Sequence, residues 1–355
     1  MKPILRHLFR KCPGLCLLGF MVLVLGEVWI RLPATADDIQ YAFDEEIGHR
    51  YAPNQVAYPR ALGAFALEVP PIVIDGEGYR NGPVDWNRPI ILALGSSEVV
   101  GPSVSDEEIW TARLTRRLRL GSGDDPIVYN AGIGGYGPFH SSVVLQRFTE
   151  KHEKPVLVIV RVAIGDRSFL PFTPEQLREE KSNKKKRDAI KKYTLFLPFL
   201  YNKAQLQLDS VKSVLSVYLP GGRLKQPGNR MANASERMWK QNKEYWFKIA
   251  ALCKKMGIPV LFFVHNPLGA PEDRALFNTF AAHFQNKRCD FVWMLDDAPF
   301  GLQGDLNERR STFAAKYTLG YDPHANSFQH QVIADEMFKY LKTAHIPLNG
   351  NLTCA

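Results

Sequence analysis

From Pro89 onward, apolar and polar positions alternate by whole segments. Apolar, β-branched runs occupy Ile90–Leu94, Ile127–Asn130, Val156–Ala163, Pro259–His265 and Phe291–Leu295. The runs are nearly continuous rather than alternating, as in strands buried on both faces. Helix-period patterns follow or separate them at Asp106–Leu118, His140–His152, Glu236–Met256, Arg274–Asn286 and Ser327–Leu341. Strand and helix in alternation predict a parallel sheet with helices on both faces. With right-handed crossovers this is a three-layer, doubly wound α/β domain of five parallel strands.

The pattern divides the rest of the chain around that domain, which we place at 90–345 with an insertion at about 170–233. Residues 37–89 are rich in Gly, Pro, Asn and aromatics, and read as a lead-in of short strands and turns packed on the main sheet. The insertion joins a basic run, the apolar stretch "YTLFLPFLY", an amphipathic helical pattern near Ala204–Val217 and a Pro/Gly-rich loop. Its residues suit a lid, a membrane-facing hairpin or a partner surface equally. A tail follows at 346–355.

Residues 1–36 carry an address. Lys2, Arg6, Arg10 and Lys11 precede an apolar run from Leu15 to Ile30, and acidic residues follow it. Positive charge before the run keeps the amino terminus in the cytoplasm and exports the body. The run predicts a single-pass signal-anchor in the cell membrane, with the α/β domain on the periplasmic side. The alternative is a cleaved signal peptide, with Ala34-Thr35-Ala36 as the small-residue cleavage site and a secreted body.

Composition narrows the function classes. The 355 residues are 45% hydrophobic and 23% charged, the balance of an ordinary globular chain, enough for one large domain or two small ones. The net charge of +9 is local: Arg178–Lys192 supplies +5 of it. A nucleic-acid-binding face would spread that charge and interleave aromatics, so no nucleic-acid partner is expected. The five cysteines (Cys12, Cys16, Cys253, Cys289 and Cys354) have no metal-ligand spacing, so neither a metal site nor a cofactor is expected. Cys253 and Cys289 read as two buried free thiols, with a disulfide between them as the alternative in an oxidising compartment.

The candidate chemistry begins where the first buried strand ends, in "IILALGSSEVVG". A serine in a glycine-containing turn at the carboxyl end of a strand sits where open α/β sheets bind ligands. Ser97 as nucleophile needs a base, an orienter for that base and donors for an oxyanion. Asp322-Pro323-His324-Ala325-Asn326, before the last helix, offers a carboxylate and an imidazole on one loop. Other histidines fit less well: His265 ends a strand and is the runner-up, His330 falls inside a helix, and His140 and His152 follow no strand end. After the second strand, "NAGIGGYG" lets the backbone approach a ligand and aim N–H groups at it. It lacks the spacing of a dinucleotide-binding loop.

Taken in order, Gly-x-Ser after the first strand, Asn-x-Gly-x-x-Gly after the second and Asp-x-His-x-Asn before the last helix resemble the SGNH/GDSL hydrolases. The resemblance runs from about Asp44 to Leu341 and includes the lead-in phrases "DEEIGHRYAPN" and "GEGYRNG", which look like those of envelope-anchored members. It implies a flavodoxin-like fold with Ser97 as nucleophile, His324 as general base and acid, and Asp322 as its orienter. The backbone amides of Ser97 and Gly135 would form the oxyanion hole, and Ser96 stands where the family usually has Asp. The third block departs: Gly165 stands where the family has an asparagine donor, followed by Asp166. Arg161 and Arg167 are the nearby candidates to replace that donor. The resemblance implies a serine esterase or acyl transferase acting on acyl, perhaps acetyl, esters of an envelope glycan. The alternative is a catalytically weak or inactive relative that binds a glycan or a partner in envelope assembly.

Overall fold

The computed structural model describes residues 39–57, 71–162, 230–265 and 271–346, apart from short gaps at 103, 120–124, 285–288, 297 and 319–323; residues 21, 24, 25 and 348 are also described. The expected membrane segment, nearly all of the 170–233 insertion, Gly165, Asp166, Arg167 and Asp322 lie outside the described residues. Among the described residues, no helix is long and apolar enough to cross a membrane. By internal contacts the chain forms two units, and everything below concerns the unit comprising Ile39–Pro59, Val69–Phe172 and Gly228–Ala355.

Its lead-in holds two antiparallel hairpins. One pairs β1 (Tyr41–Asp44) with β2 (Gly48–Tyr51), the other β3 (Gln55–Ala57) with β4 (Ile72–Ile74). The α/β core follows in chain order: β5 (Ile90–Leu94), α1 (Ser97–Val100), α2 (Trp110–Leu118), β6 (Ile127–Asn130), α3 (Pro138–Lys151), β7 (Leu157–Val162) and α4 (Arg230–Met256). It continues with β8 (Val260–His265), α5 (Pro271–Phe284), β9 (Asp290–Leu295), α6 (Leu306–Tyr317) and α7 (Ser327–Thr343).

The five core strands form one parallel sheet in the order β6-β5-β7-β8-β9. This is the doubly wound sheet that the segment pattern predicts, in the flavodoxin-like order that the resemblance implies. Strand order reverses between β5 and β7, so the crevice beyond their carboxyl ends is the switch point where such sheets take ligands.

Strand parity separates the two faces. Leu92, Leu94, Val158, Val160 and Val162 join α3, α4 and α5 in one core, which is rich in aromatic side chains such as Phe148, Trp246 and Phe280. Ile91, Ala93, Leu157, Ile159, Leu261 and Phe263 join Trp110 and Leu114 of α2 and Ile333 and Met337 of α7 in the other. Alternate residues of a strand point to opposite faces, so Arg161 and His265 continue the parity of the α2/α7 face.

Several boundaries differ from expectation, each for a local reason. The helix expected from Asp106 begins at Trp110. Asp106 is occupied instead, with one carboxylate oxygen accepting from the Val73 N–H (3.0 Å) and the other from Arg80 Nε (2.6 Å). Helix α6 is absent from the sequence reading because its polar, weakly periodic residues gave no apolar stripe. The expectation of two free thiols also fails at one position. Cys253 is free and buried in the core, where burial pushes its thiol pKa far up, whereas Cys289 is disulfide-bonded. The Cys253–Cys289 pair is therefore not formed.

Candidate active site

The turn bearing Ser97 is shaped by two glycines. Gly95 follows β5 with φ +154°, and a Cβ there would stand 2.7 Å from Val99 Cγ2 and 3.0 Å from Arg161 Cβ. Gly101 ends α1 in the left-handed region (φ 63°), donating its N–H to the Ser97 carbonyl at 2.8 Å. Only glycine meets both the conformation and the space. Ser97 is thus the first residue of a one-turn helix at the carboxyl end of β5, and it is half-buried. Ser96 occupies the N-cap position, yet its side chain makes no capping bond.

The lead-in phrase "GEGYRNG" builds this turn from below. Arg80 is fully buried and ion-paired to Asp106. Its guanidinium donates to the carbonyls of Val100 (3.1 Å), Gly101 and Val104 (2.6 Å), the groups just past α1. Asn81 pairs with the backbone of Asn130 in both directions, accepting its N–H at 2.9 Å and donating to its carbonyl at 3.1 Å. It thereby continues the ladder at the end of edge strand β6.

Beneath Ser97, on the α2/α7 face, the structure assembles a polar cluster. Arg161 Nε forms an ion pair with Glu98 Oε2 at 2.6 Å, and Arg161 Nη1 donates to Ser96 Oγ at 3.2 Å. One guanidinium thus grips both neighbours of Ser97. His265 Nδ1 lies 3.2 Å from Glu98 Oε2, and its Nε2 meets the Gln329 side-chain amide at 3.1 Å. Both ring nitrogens of this runner-up histidine are thus engaged within the cluster. Burial alone would raise the Glu98 pKa, but Arg161 and then His265 outweigh it, holding the carboxyl well below the usual carboxylate range. Arg161, the expected candidate to replace the family's asparagine donor, is bound here to Glu98 and Ser96.

The second glycine turn leans on the same helix. Asn130 donates its side-chain N–H to the Val99 carbonyl (2.7 Å) and accepts the Gly132 N–H (3.1 Å). Ile133 N–H donates to the Gly95 carbonyl (3.2 Å), and a Cβ on Gly132 would strike Val99 at 2.7 Å. The Ile133–Tyr136 turn is closed by the Tyr136 N–H on the Ile133 carbonyl (3.1 Å), with Gly135 at its third position and φ +84°. That is a type II turn.

His324 lies half-buried just before α7, next to Ala325, which bridges Thr318. Asn326 is the helix cap: its side-chain oxygen accepts the Gln329 N–H at 3.1 Å, and its amide donates to the carbonyls of Lys316 (2.8 Å) and Thr318 (3.1 Å). His324 is therefore not needed as a cap. Gln329, one turn further on, links this loop through His265 to Glu98, the residue after Ser97. His330 is fully buried, and its Nδ1 accepts the Trp110 N–H at 3.3 Å; burial pushes its pKa down to about 3. His140 is buried too, with its Nδ1 accepting the Gly137 N–H at 3.1 Å, and burial lowers its pKa to about 4. Both are frame histidines.

The described structure thus places Ser97, Gly135 and Arg161 around the switch point, with His324 on the loop leading into α7. The residues that sequence reasoning missed are Glu98, Gln329, Arg80 and Asn81. Arg161 and His265 carried a usable signal: each is a polar residue near the end of an apolar strand, on the parity of one face.

These features define a doubly wound α/β domain with a serine turn at its switch point. No family model matches the chain, and no curated protein matches it. Solved structures similar to it include a psychrotrophic esterase from a Pseudoalteromonas species, 12% identical over 73% of this chain and 99% of that one, with a TM-score of 0.41. An acetylxylan esterase from Geobacillus stearothermophilus is also 12% identical, over 71% of this chain and 93% of that one, with a TM-score of 0.36. A salicylyl-acyltransferase from a tetracycline biosynthetic pathway is 10% identical, over 75% of this chain and 58% of that one, with a TM-score of 0.37. The fold assignment rests on the strand order and register above, not on these scores.

Proposed function

We propose that the protein is a serine esterase or O-acyltransferase whose nucleophile is Ser97. The observation that carries this reading is the construction of the serine turn: Arg161 clamps Ser96 and Glu98, and the Asn130–Gly135 segment is tied to α1. In the reaction, Ser97 Oγ attacks the acyl carbonyl while His324 takes its proton and Asp322 orients the imidazole. The amides of Ser97 and Gly135 receive the oxyanion. The tetrahedral adduct collapses with cleavage of the ester C–O bond, and His324 returns the proton to the leaving alcohol oxygen. Water or an acceptor hydroxyl then attacks the acyl-enzyme, giving up its proton to His324, and Ser97 leaves with that proton.

The substrate class we assign is an acyl ester, such as an acetyl ester, on an envelope glycan, drawn from the resemblance and the address at 1–36. The same address makes the protein an inner-membrane-anchored, periplasm-facing enzyme; a disulfide at Cys289 suits an oxidising compartment. Gly165, at the position of an asparagine donor, motivates the second reading, a relative that binds its glycan without turning it over. One experiment separates the two. A fluorophosphonate should label Ser97, and Ser97→Ala should abolish both labelling and the hydrolysis of acetylated saccharides. Absence of an adduct beside a labelled control esterase refutes the catalytic reading.

A further inference from the structure

The lead-in hairpin β1–β2 has no assigned role beyond packing, yet one of its side chains reaches the glycine turn. His49 Nε2 lies 3.0 Å from the carbonyl oxygen of Gly134. A carbonyl only accepts, so Nε2 must carry the proton in either charge state of the ring. The contact is braced: Tyr136, in the same turn, donates its hydroxyl to the His49 carbonyl at 2.7 Å, and the His49 and Tyr136 rings meet edge-on at 5.5 Å. Tyr51, buried at the end of β2, sets its hydroxyl against Gly134, 3.8 Å from where a side chain there would begin.

The Gly134 carbonyl and the Gly135 N–H belong to one planar trans peptide, so they point in opposite directions. Fixing the carbonyl therefore fixes the amide. This peptide is the central one of the type II turn, the unit that reverses when such a turn becomes type I. Two consecutive glycines impose little preference of their own. A net hydrogen bond of ordinary strength biases such an equilibrium by about 5- to 10-fold.

We infer that His49 is the positioning residue of the oxyanion hole: by holding the Gly134 carbonyl it aims the Gly135 N–H at the acyl oxygen. The inference rests on the proposed esterase or transferase reading and deepens it. It also gives the lead-in a function, since a hairpin more than eighty residues upstream sets the direction of the Gly135 amide. Because Nε2 donates in both charge states, His49 contributes orientation and no proton transfer.

The test uses the full-length protein and three variants: His49→Phe, which keeps the ring and loses the donor; His49→Gln, which restores an N–H; and Gly135→Ala. A Cβ at Gly135 meets nothing within 4 Å, so that change acts only through the positive φ. The readouts are the rate of fluorophosphonate attachment to Ser97, kcat and KM for p-nitrophenyl acetate, and the thermal midpoint. His49→Phe should slow labelling and kcat by about 5- to 10-fold, the bias that one hydrogen bond sets on the turn, with KM and the shape of the pH profile unchanged. His49→Gln should recover most of the rate, and Gly135→Ala should be slowed as His49→Phe is. Wild-type labelling with an unchanged rate in folded His49→Phe overturns the inference and leaves the esterase reading intact. Should His49→Phe not fold, Gly135→Ala decides: labelling at the wild-type rate overturns the inference. No wild-type label overturns the esterase reading, and the inference with it.

Discussion

Glu98 follows Ser97 directly, and its replacement by Gln tests whether the ion cluster holds the serine turn. Its side chain is 27% exposed, whereas its partners Arg161 and His265 are 10% and 3% exposed. Breaking a buried pair by removing one partner costs about 3–5 kcal/mol. Glu98 retains some water contact and Gln still accepts a hydrogen bond, so about 2–3 kcal/mol is the expected loss at pH 7. For a domain of this size that corresponds to a drop of roughly 5–10 °C in the thermal midpoint.

The pH dependence makes the prediction specific. The folded-state pKa of Glu98 is lowered, because Arg161 and His265 outweigh the effect of burial. A depressed carboxyl contributes stability that is fully present above its unfolded pKa and lost as pH falls toward the folded one. The unfolded value is about 4.3, so the loss begins near there and grows by about 1.4 kcal/mol per pH unit. Glu98→Gln has no such term, so the gap between wild type and variant should narrow by roughly 2 kcal/mol between pH 7 and pH 3. Urea unfolding at both pH values measures that gap, with other carboxylates cancelling in the difference. A constant gap, or one below about 0.5 kcal/mol at pH 7, refutes the argument, since it would make the cluster an ordinary surface pair.

The two loop and strand-end histidines should separate by readout. His324→Ala should reduce kcat by about 100- to 10,000-fold at an unchanged thermal midpoint, while His265→Gln should lower the midpoint with a much smaller kinetic loss; steady-state kinetics with thermal unfolding compares them, and the opposite pattern would make His265 the base. The buried neutral histidines set an acid limb. With pKa values pushed down to about 3 (His330) and about 4 (His140), each contributes stability present above the unfolded value near 6.5 and lost as pH falls below it. His330→Gln should flatten the stability profile between pH 6.5 and 4, and an unchanged slope would show that the ring is charged when folded.

How much of this was legible in the sequence follows from the range of each interaction. The core strands declare themselves because burial on both faces requires uninterrupted apolar residues; crossover handedness sets which face each helix covers, but the strand order depends on pairings between distant segments. Ser97 and the glycine turn are legible because glycines mark positive φ. The cluster under the serine is not, because Glu98, Arg161, His265 and Gln329 come from four elements and meet only once the sheet is ordered and α7 is docked. Arg80 and His49 were hidden for another reason. They sit in a segment of weak periodicity that reads as packing, yet each spends its donors on backbone carbonyls of the site, Val100, Gly101 and Val104 for one and Gly134 for the other. Apart from the Asp106 partner of Arg80, donors spent on carbonyls leave no complementary residue type at their targets, so the sequence carries no charge pairing that reveals these contacts. The lead-in therefore belongs to the site in structure although it lies outside the catalytic blocks in sequence. Grafting those blocks without residues 39–57 and 71–89 would carry over Ser97 without the groups that hold its turn and the Gly134–Gly135 peptide.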